Sequence, residues 1–120
     1  MLALIRISIF AISLSTFSSA ALAHASIVAA SPADQSKGPS PSAVEINFNE
    51  IVNLAFSRLT LRGEDGALVL TGALTIVPGG KGLIVPIKAK LPEGLYSVEW
   101  TVLSSDGHKL KGKYNFTVIP

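Results

Sequence analysis

The stretch Gly94-Leu95-Tyr96-Ser97-Val98-Glu99-Trp100-Thr101-Val102-Leu103-Ser104-Ser105-Asp106-Gly107-His108-Lys109-Leu110-Lys111-Gly112-Lys113-Tyr114-Asn115-Phe116-Thr117-Val118 decides how this chain folds. Tyr96, Val98, Trp100 and Val102 alternate with Ser97, Glu99 and Thr101. Leu110, Tyr114, Phe116 and Val118 alternate with Lys109, Lys111, Lys113, Asn115 and Thr117. A period of two sets one face of a strand on a core and the other in water. Asp106-Gly107 between the two runs is a common turn pair, because both residues tolerate positive φ.

The same alternation recurs upstream. Val44, Ile46 and Phe48 alternate with Glu45, Asn47 and Asn49, and Leu59 and Leu61 with Arg58, Thr60 and Arg62. Breaks fall at Gly63-Glu64-Asp65-Gly66, Pro78-Gly79-Gly80 and Pro92-Glu93-Gly94. Ser31 to Ser42, with three prolines, reads as an irregular connection. No i, i+3, i+4 apolar pattern persists for three turns. The expected strands are 26–30, 43–50, 54–62, 67–76 (breakable at Gly72), 82–88, 95–103 and 110–118. About seven short strands in one chain of this size predict an all-β fold, a small antiparallel Greek-key β-sandwich of immunoglobulin-like type.

The first 23 residues belong to something else. Arg6 is their one charge, Ile7 to Phe17 is an apolar run, and Ala21-Leu22-Ala23 supplies small residues. A basic start, a short apolar middle and an A-x-A ending describe a cleaved secretory signal peptide. Residues 1–23 are therefore expected to be removed and residues 24–120 to form the exported domain, beginning at His24. Loss of Arg6 takes the net charge from +2 to +1, too little to point to nucleic acid. The sequence holds no cysteine, which excludes disulfides, thiolate metal sites and a cysteine nucleophile.

Two histidines remain, His24 and His108. An amino-terminal His offers its α-amine and ring Nδ1, which close a chelate ring on a metal. Asp106 and His108, two residues apart at a strand end, direct their side chains the same way. Together these groups make three nitrogens and one oxygen, a set suited to tetragonal Cu(II). Taken singly, His24 also fits a flexible terminus, Asp106-Gly107 a plain turn and His108 a solvated turn residue.

The chain resembles the CopC family of periplasmic copper-binding proteins. The resemblance is carried by His24-Ala25, Ala30-Ser31-Pro32-Ala33, Val44-Glu45-Ile46-Asn47-Phe48-Asn49-Glu50, Gly94 to Trp100, and Ser104-Ser105-Asp106-Gly107-His108 followed by Gly112 and Phe116. It implies a β-sandwich with one Cu(II) per chain at one end, held by the amine and ring of His24 with Asp106 and His108. Glu50 matches an acidic position near that site, as an outer contributor. It further implies a copper carrier or buffer in homeostasis or resistance, in the periplasm, with an inner-membrane transporter of the CopD type as partner. A monomer is the default for a small carrier, and no catalytic activity is expected. Some members carry a Met-rich loop that binds Cu(I) at the opposite end. Here the corresponding stretch, roughly Gly72 to Leu83, holds no thioether, and Met1 is the one methionine. A Cu(II)-only protein is therefore expected.

Two other functions fit parts of the pattern. An amino-terminal His plus a second His also resembles the copper brace of oxidative polysaccharide enzymes. A metal-free immunoglobulin-like interaction domain would make His24 irrelevant. Trp100 reads as a core anchor. Lys109, Lys111 and Lys113 read as a solvated face that protects a strand, or as a docking surface for an acidic partner.

Overall fold

The computed structural model describes residues 26–120, so the expected signal segment 1–23 and His24 lie outside the described residues. Eight strands follow in chain order: β1 (Ile27–Ser31), β2 (Lys37–Gly38), β3 (Ala43–Phe48), β4 (Arg58–Arg62), β5 (Thr75–Ile76), β6 (Gly82–Pro86), β7 (Gly94–Leu103) and β8 (Lys109–Val118). They form two four-stranded sheets, ordered β1-β3-β6-β5 and β2-β8-β7-β4. This is the expected all-β sandwich. Neighbouring strands run antiparallel, except that β2 lies parallel to β8.

The alternation becomes the core. Val44, Ile46 and Phe48 of β3, Leu83 and Val85 of β6, Leu59 and Leu61 of β4, and Val98, Val102, Phe116 and Val118 of β7 and β8 are all buried. Tyr96 stacks on Phe116 with centroids 5.6 Å apart, and its hydroxyl donates to the Pro92 carbonyl at 2.7 Å. That bond ties the chain entering β7 to its own strand four residues on, as in a tyrosine corner.

Three expectations need correction. Strand 54–62 begins only at Arg58, because Asn53 accepts from the Ala55 amide through its Oδ1 at 3.0 Å and closes a 3-10 turn over Leu54–Phe56. Residues 67–76 do not form one strand. Val69 N–H donates to Leu61 O on one sheet at 2.9 Å, and Gly72 N–H donates to Pro86 O on the other at 2.8 Å. The segment therefore changes sheets, and only Thr75–Ile76 joins a ladder. Inside the expected irregular stretch, Lys37–Gly38 pairs with Thr117–Val118 as a short edge strand.

Candidate metal centre

The two long strands β7 and β8 pair without interruption from Gly94↔Val118 to Leu103↔Lys109. The turn that joins them is held from several sides. Ser104 N–H donates to His108 O at 2.9 Å, and Gly107 N–H to Ser104 O at 2.9 Å. Gly107 sits at φ +87°, a conformation that L side chains adopt rarely.

Within this turn Asp106 and His108 come together, though not as the expected extended strand end: both lie between β7 and β8, and the chain bends between them at Gly107. His108 Nδ1 lies 2.9 Å from Asp106 Oδ2. The His108 amide donates to Asp106 Oδ1 at 3.2 Å. The hydroxyl of Ser104, which is buried, donates to the same carboxylate oxygen. That hydroxyl contact first, and the His108 side chain second, pull the Asp106 carboxyl from 3.8 down to about 2. It is ionised at any physiological pH. The Asp106 and His108 side chains are 33% and 55% exposed, so the pair is open to a ligand from solvent.

The start of the described chain is tied to the same end of the sandwich. Ser26 N–H donates to Asn49 Oδ1 at 2.7 Å, and Asn49 N–H returns a bond to Ser26 O at 3.0 Å. Beyond Glu50, Ser105 N–H donates to Ile51 O at 2.9 Å, and Val52 bridges to Ser104. The segment 49–52 thus touches both Ser26 and the 104–108 turn. Glu50, between the two contacts, has a buried Oε2 with no hydrogen-bond partner among the described residues. A buried carboxylate oxygen is costly without a partner, so this end of the fold has acceptor capacity to spare. Asp106 and His108 are not joined by a third His, Cys, Asp or Glu in a metal-holding group among the described residues.

Trp100 is the anchor expected of it. Its ring meets Phe48 edge-on, with centroids 5.4 Å apart and planes at 70°, and it lies so close over Gly112 that a Cβ there would collide with it. The stretch Gly72 to Leu83 departs from the expected placement at the opposite end. It runs the length of its sheet, from Gly72 beside Pro86 to a turn whose Gly80 O accepts from Val52 N–H at 3.0 Å. That turn is therefore at the same end as Asp106 and His108.

Ser104 and Asn49 are the positioning residues that sequence reasoning passed over. Ser104 opens the quoted turn motif and Asn49 closes a strand, but neither position signals what its side chain will hold.

A CopC domain model matches residues 27–119. The chain belongs to the CopC family. It is 32% identical over 105 residues to copper resistance protein C of Escherichia coli, a match covering 82% of this chain and 83% of that one. Among solved structures, CopC from Methylosinus trichosporium OB3b superposes with a TM-score of 0.74 at 37% identity, covering 81% of this chain and 95% of that one. PcoC, described as a methionine-rich copper resistance protein from Escherichia coli, gives a TM-score of 0.72 at 28% identity, with 81% and 100% covered. This CopC chain differs from that description in having Met1 as its one methionine.

Proposed function

We propose that this chain is an exported, periplasmic Cu(II) carrier or buffer that binds one ion per molecule and performs no catalysis. Copper handling is the function its family supports. The Cu(II) preference, the ligand set and the carrier role are the proposal. The ligands are the α-amine and ring Nδ1 of His24, the His108 imidazole and the Asp106 carboxylate, with Glu50 as an outer contributor.

One observation carries it: the Asp106–His108 pair is assembled on a turn that shares the segment 49–52 with Ser26. His24 is two residues upstream of Ser26, within about 7 Å of backbone reach. His108 Nδ1 and Asp106 Oδ2, 2.9 Å apart, are close enough to serve as neighbouring ligands of one ion, which would lie between them in place of their direct contact. Amine, imidazole and carboxylate donors favour Cu(II). With no cysteine and no methionine beyond Met1, no sulfur is offered to Cu(I). The molecule acts as a monomer, and a membrane transporter of the CopD type is the proposed receiver of its copper.

The test is a Cu(II) titration of secreted, mass-verified protein beginning at His24, followed by Trp100 fluorescence and electron paramagnetic resonance. One tightly bound equivalent with nitrogen hyperfine structure is expected. Adding one residue before His24 converts its amine to an amide and should weaken binding sharply. Weak or superstoichiometric binding, or indifference to the added residue, would sink the proposal.

A further inference from the structure

The two sheets carry their charge very differently. In the β1-β3-β6-β5 sheet, Glu45 is the one charged residue within the strands. In the other sheet the register sets charged side chains in rows on the outer face. Arg58, Thr101 and Lys111 lie abreast across three strands, and so do Thr60, Glu99 and Lys113. Lys109 extends the face toward the Asp106–His108 turn, and Arg62 and Lys37 extend it the other way. Six of the nine Lys and Arg residues from 26 to 120 are on this face, against one of the eight Asp and Glu.

The single carboxylate, Glu99, is taken up by Arg62 Nε at 3.5 Å. Arg58, Lys109, Lys111 and Lys113 are exposed and make no ion pair among the described residues. A groove of about 570 Å³ runs between Arg58, Arg62, Lys111 and Lys113. Beside it, Phe56 is 63% exposed and lines a second hollow with Arg58 and Lys109.

We propose that this face docks an acidic, extended segment of a partner protein. β2 reaches only Thr117 and Val118 of β8, so Lys109, Lys111 and Lys113 also guard an open strand edge among the described residues. Guarding an edge, however, needs no single sign of charge and no groove. The spacing fits a peptide. Lys109, Lys111 and Lys113 recur every second residue, about 6.6–6.8 Å apart, the repeat at which an extended chain presents alternate side chains. Arg58 and Lys111, one strand apart on either side of Thr101, flank the groove and converge on a carboxylate between them. Phe56 offers an apolar contact at the end nearest the turn. A groove of this size accepts a chain segment, whereas a layer of anionic headgroups needs no groove. The face stands on charge and geometry alone. Only its purpose, holding an acceptor beside the copper end, rests on the function proposed above.

The test uses metal-free protein, so that its outcome is independent of whether copper binds. A short peptide of alternating Asp and Thr is titrated in and amide chemical shifts are followed. Shifts are expected in residues 58–62, 97–103 and 109–113, and binding should weaken as salt rises. The variant Lys111→Glu/Lys113→Glu should weaken binding at least about tenfold, through like-charge repulsion. Lys88→Glu/Lys90→Glu, the same charge change off this sheet, should alter it less than about twofold. Thermal melts verify folding, and Lys111→Gln/Lys113→Gln repeats the test should the reversal unfold the protein. Equal losses in the two reversal variants would reduce the effect to net charge and overturn the proposal. So would absence of peptide binding, or binding only to phosphatidylglycerol vesicles, which would assign the face to a membrane.

Discussion

The β7–β8 hairpin and the segment 67–77 start from similar material and end differently. Both are rich in apolar residues, and both follow a break rich in Gly and acidic residues. In the hairpin every pair from Gly94↔Val118 to Leu103↔Lys109 is made, and Tyr96, Val98, Val102, Tyr114, Phe116 and Val118 are buried. In the crossing segment, Leu68 and Leu70 remain 65% and 76% exposed. The difference lies in what each finds beside it. The hairpin supplies its own ladder and has a second sheet to close over one face. The crossing segment is handed from Leu61 on one sheet to Pro86 on the other, so no single neighbour can accept its alternation. The rigid element is the one that holds Asp106 and His108, which suits a site needing fixed geometry.

The sharpest way to separate the two regions is to truncate a side chain in each. Phe116→Ala removes a 2%-exposed ring stacked on Tyr96 and should cost about 3–5 kcal/mol, read from urea unfolding. Retention of full stability would mean the hairpin is not the centre of the core. Next, His108→Ala should lower Cu(II) affinity by about two orders of magnitude or more while the circular dichroism spectrum and melting temperature hold. Imidazole ligands are strong because they lose little on deprotonation near neutrality. An unfolded variant would instead give His108 a structural role.

Acid sharpens the same point. Asp106 has its folded pKa lowered to about 2, so its contribution to the turn is complete above about pH 4 and is lost as pH falls through about 2. Between pH 8 and 5 the turn should not change. Copper affinity should nevertheless fall steeply, as protons take imidazole in general around ~6.5 and the α-amine around ~7.7–8.0. Flat affinity across that window, in titrations at each pH, would contradict amine and imidazole ligation.

Gly112→Ala places a Cβ against the Trp100 ring, and overpacking of that kind costs about 1–3 kcal/mol. Trp100 emission and the denaturation midpoint should move together. The smallest effect belongs to the crossing segment: Leu70→Ser, at a 76%-exposed position, should stay within about 0.5 kcal/mol of the parent. A larger loss in urea unfolding would show that the segment packs more firmly than its exposure implies.

Much of this was legible in the residues. Alternation placed β3, the Arg58–Arg62 strand β4, β7 and β8. It failed at 54–57, where the Asn53 side chain competes for backbone donors. It failed again at 67–76, where the chain changes sheets and periodicity has no meaning across the switch. Asp106 and His108 do meet, but through the bend at Gly107 and the Asp106 Oδ1 bond to the His108 amide rather than through strand alternation. The roles of Ser104 and Asn49 were not legible: Asn49 holds Ser26, 23 residues away in the chain, and Ser104 meets Asp106 and His108 only once the turn has closed. The cationic face was only partly so: the lysines of β8 show in the alternation, but the arginines of β4 join them only through register with β7.

The tether between Ser26 and Asn49 bears on when the protein becomes competent. It fixes the chain two residues downstream of His24, so on the proposed ligand set there is little slack to recruit any other backbone nitrogen. If residues 1–23 are cleaved as proposed, a precursor that still carries them would offer an amide where that ligand set calls for an amine. Copper capture at this centre would then be withheld until processing is complete, and the cytoplasm would be spared a chelator made there in quantity.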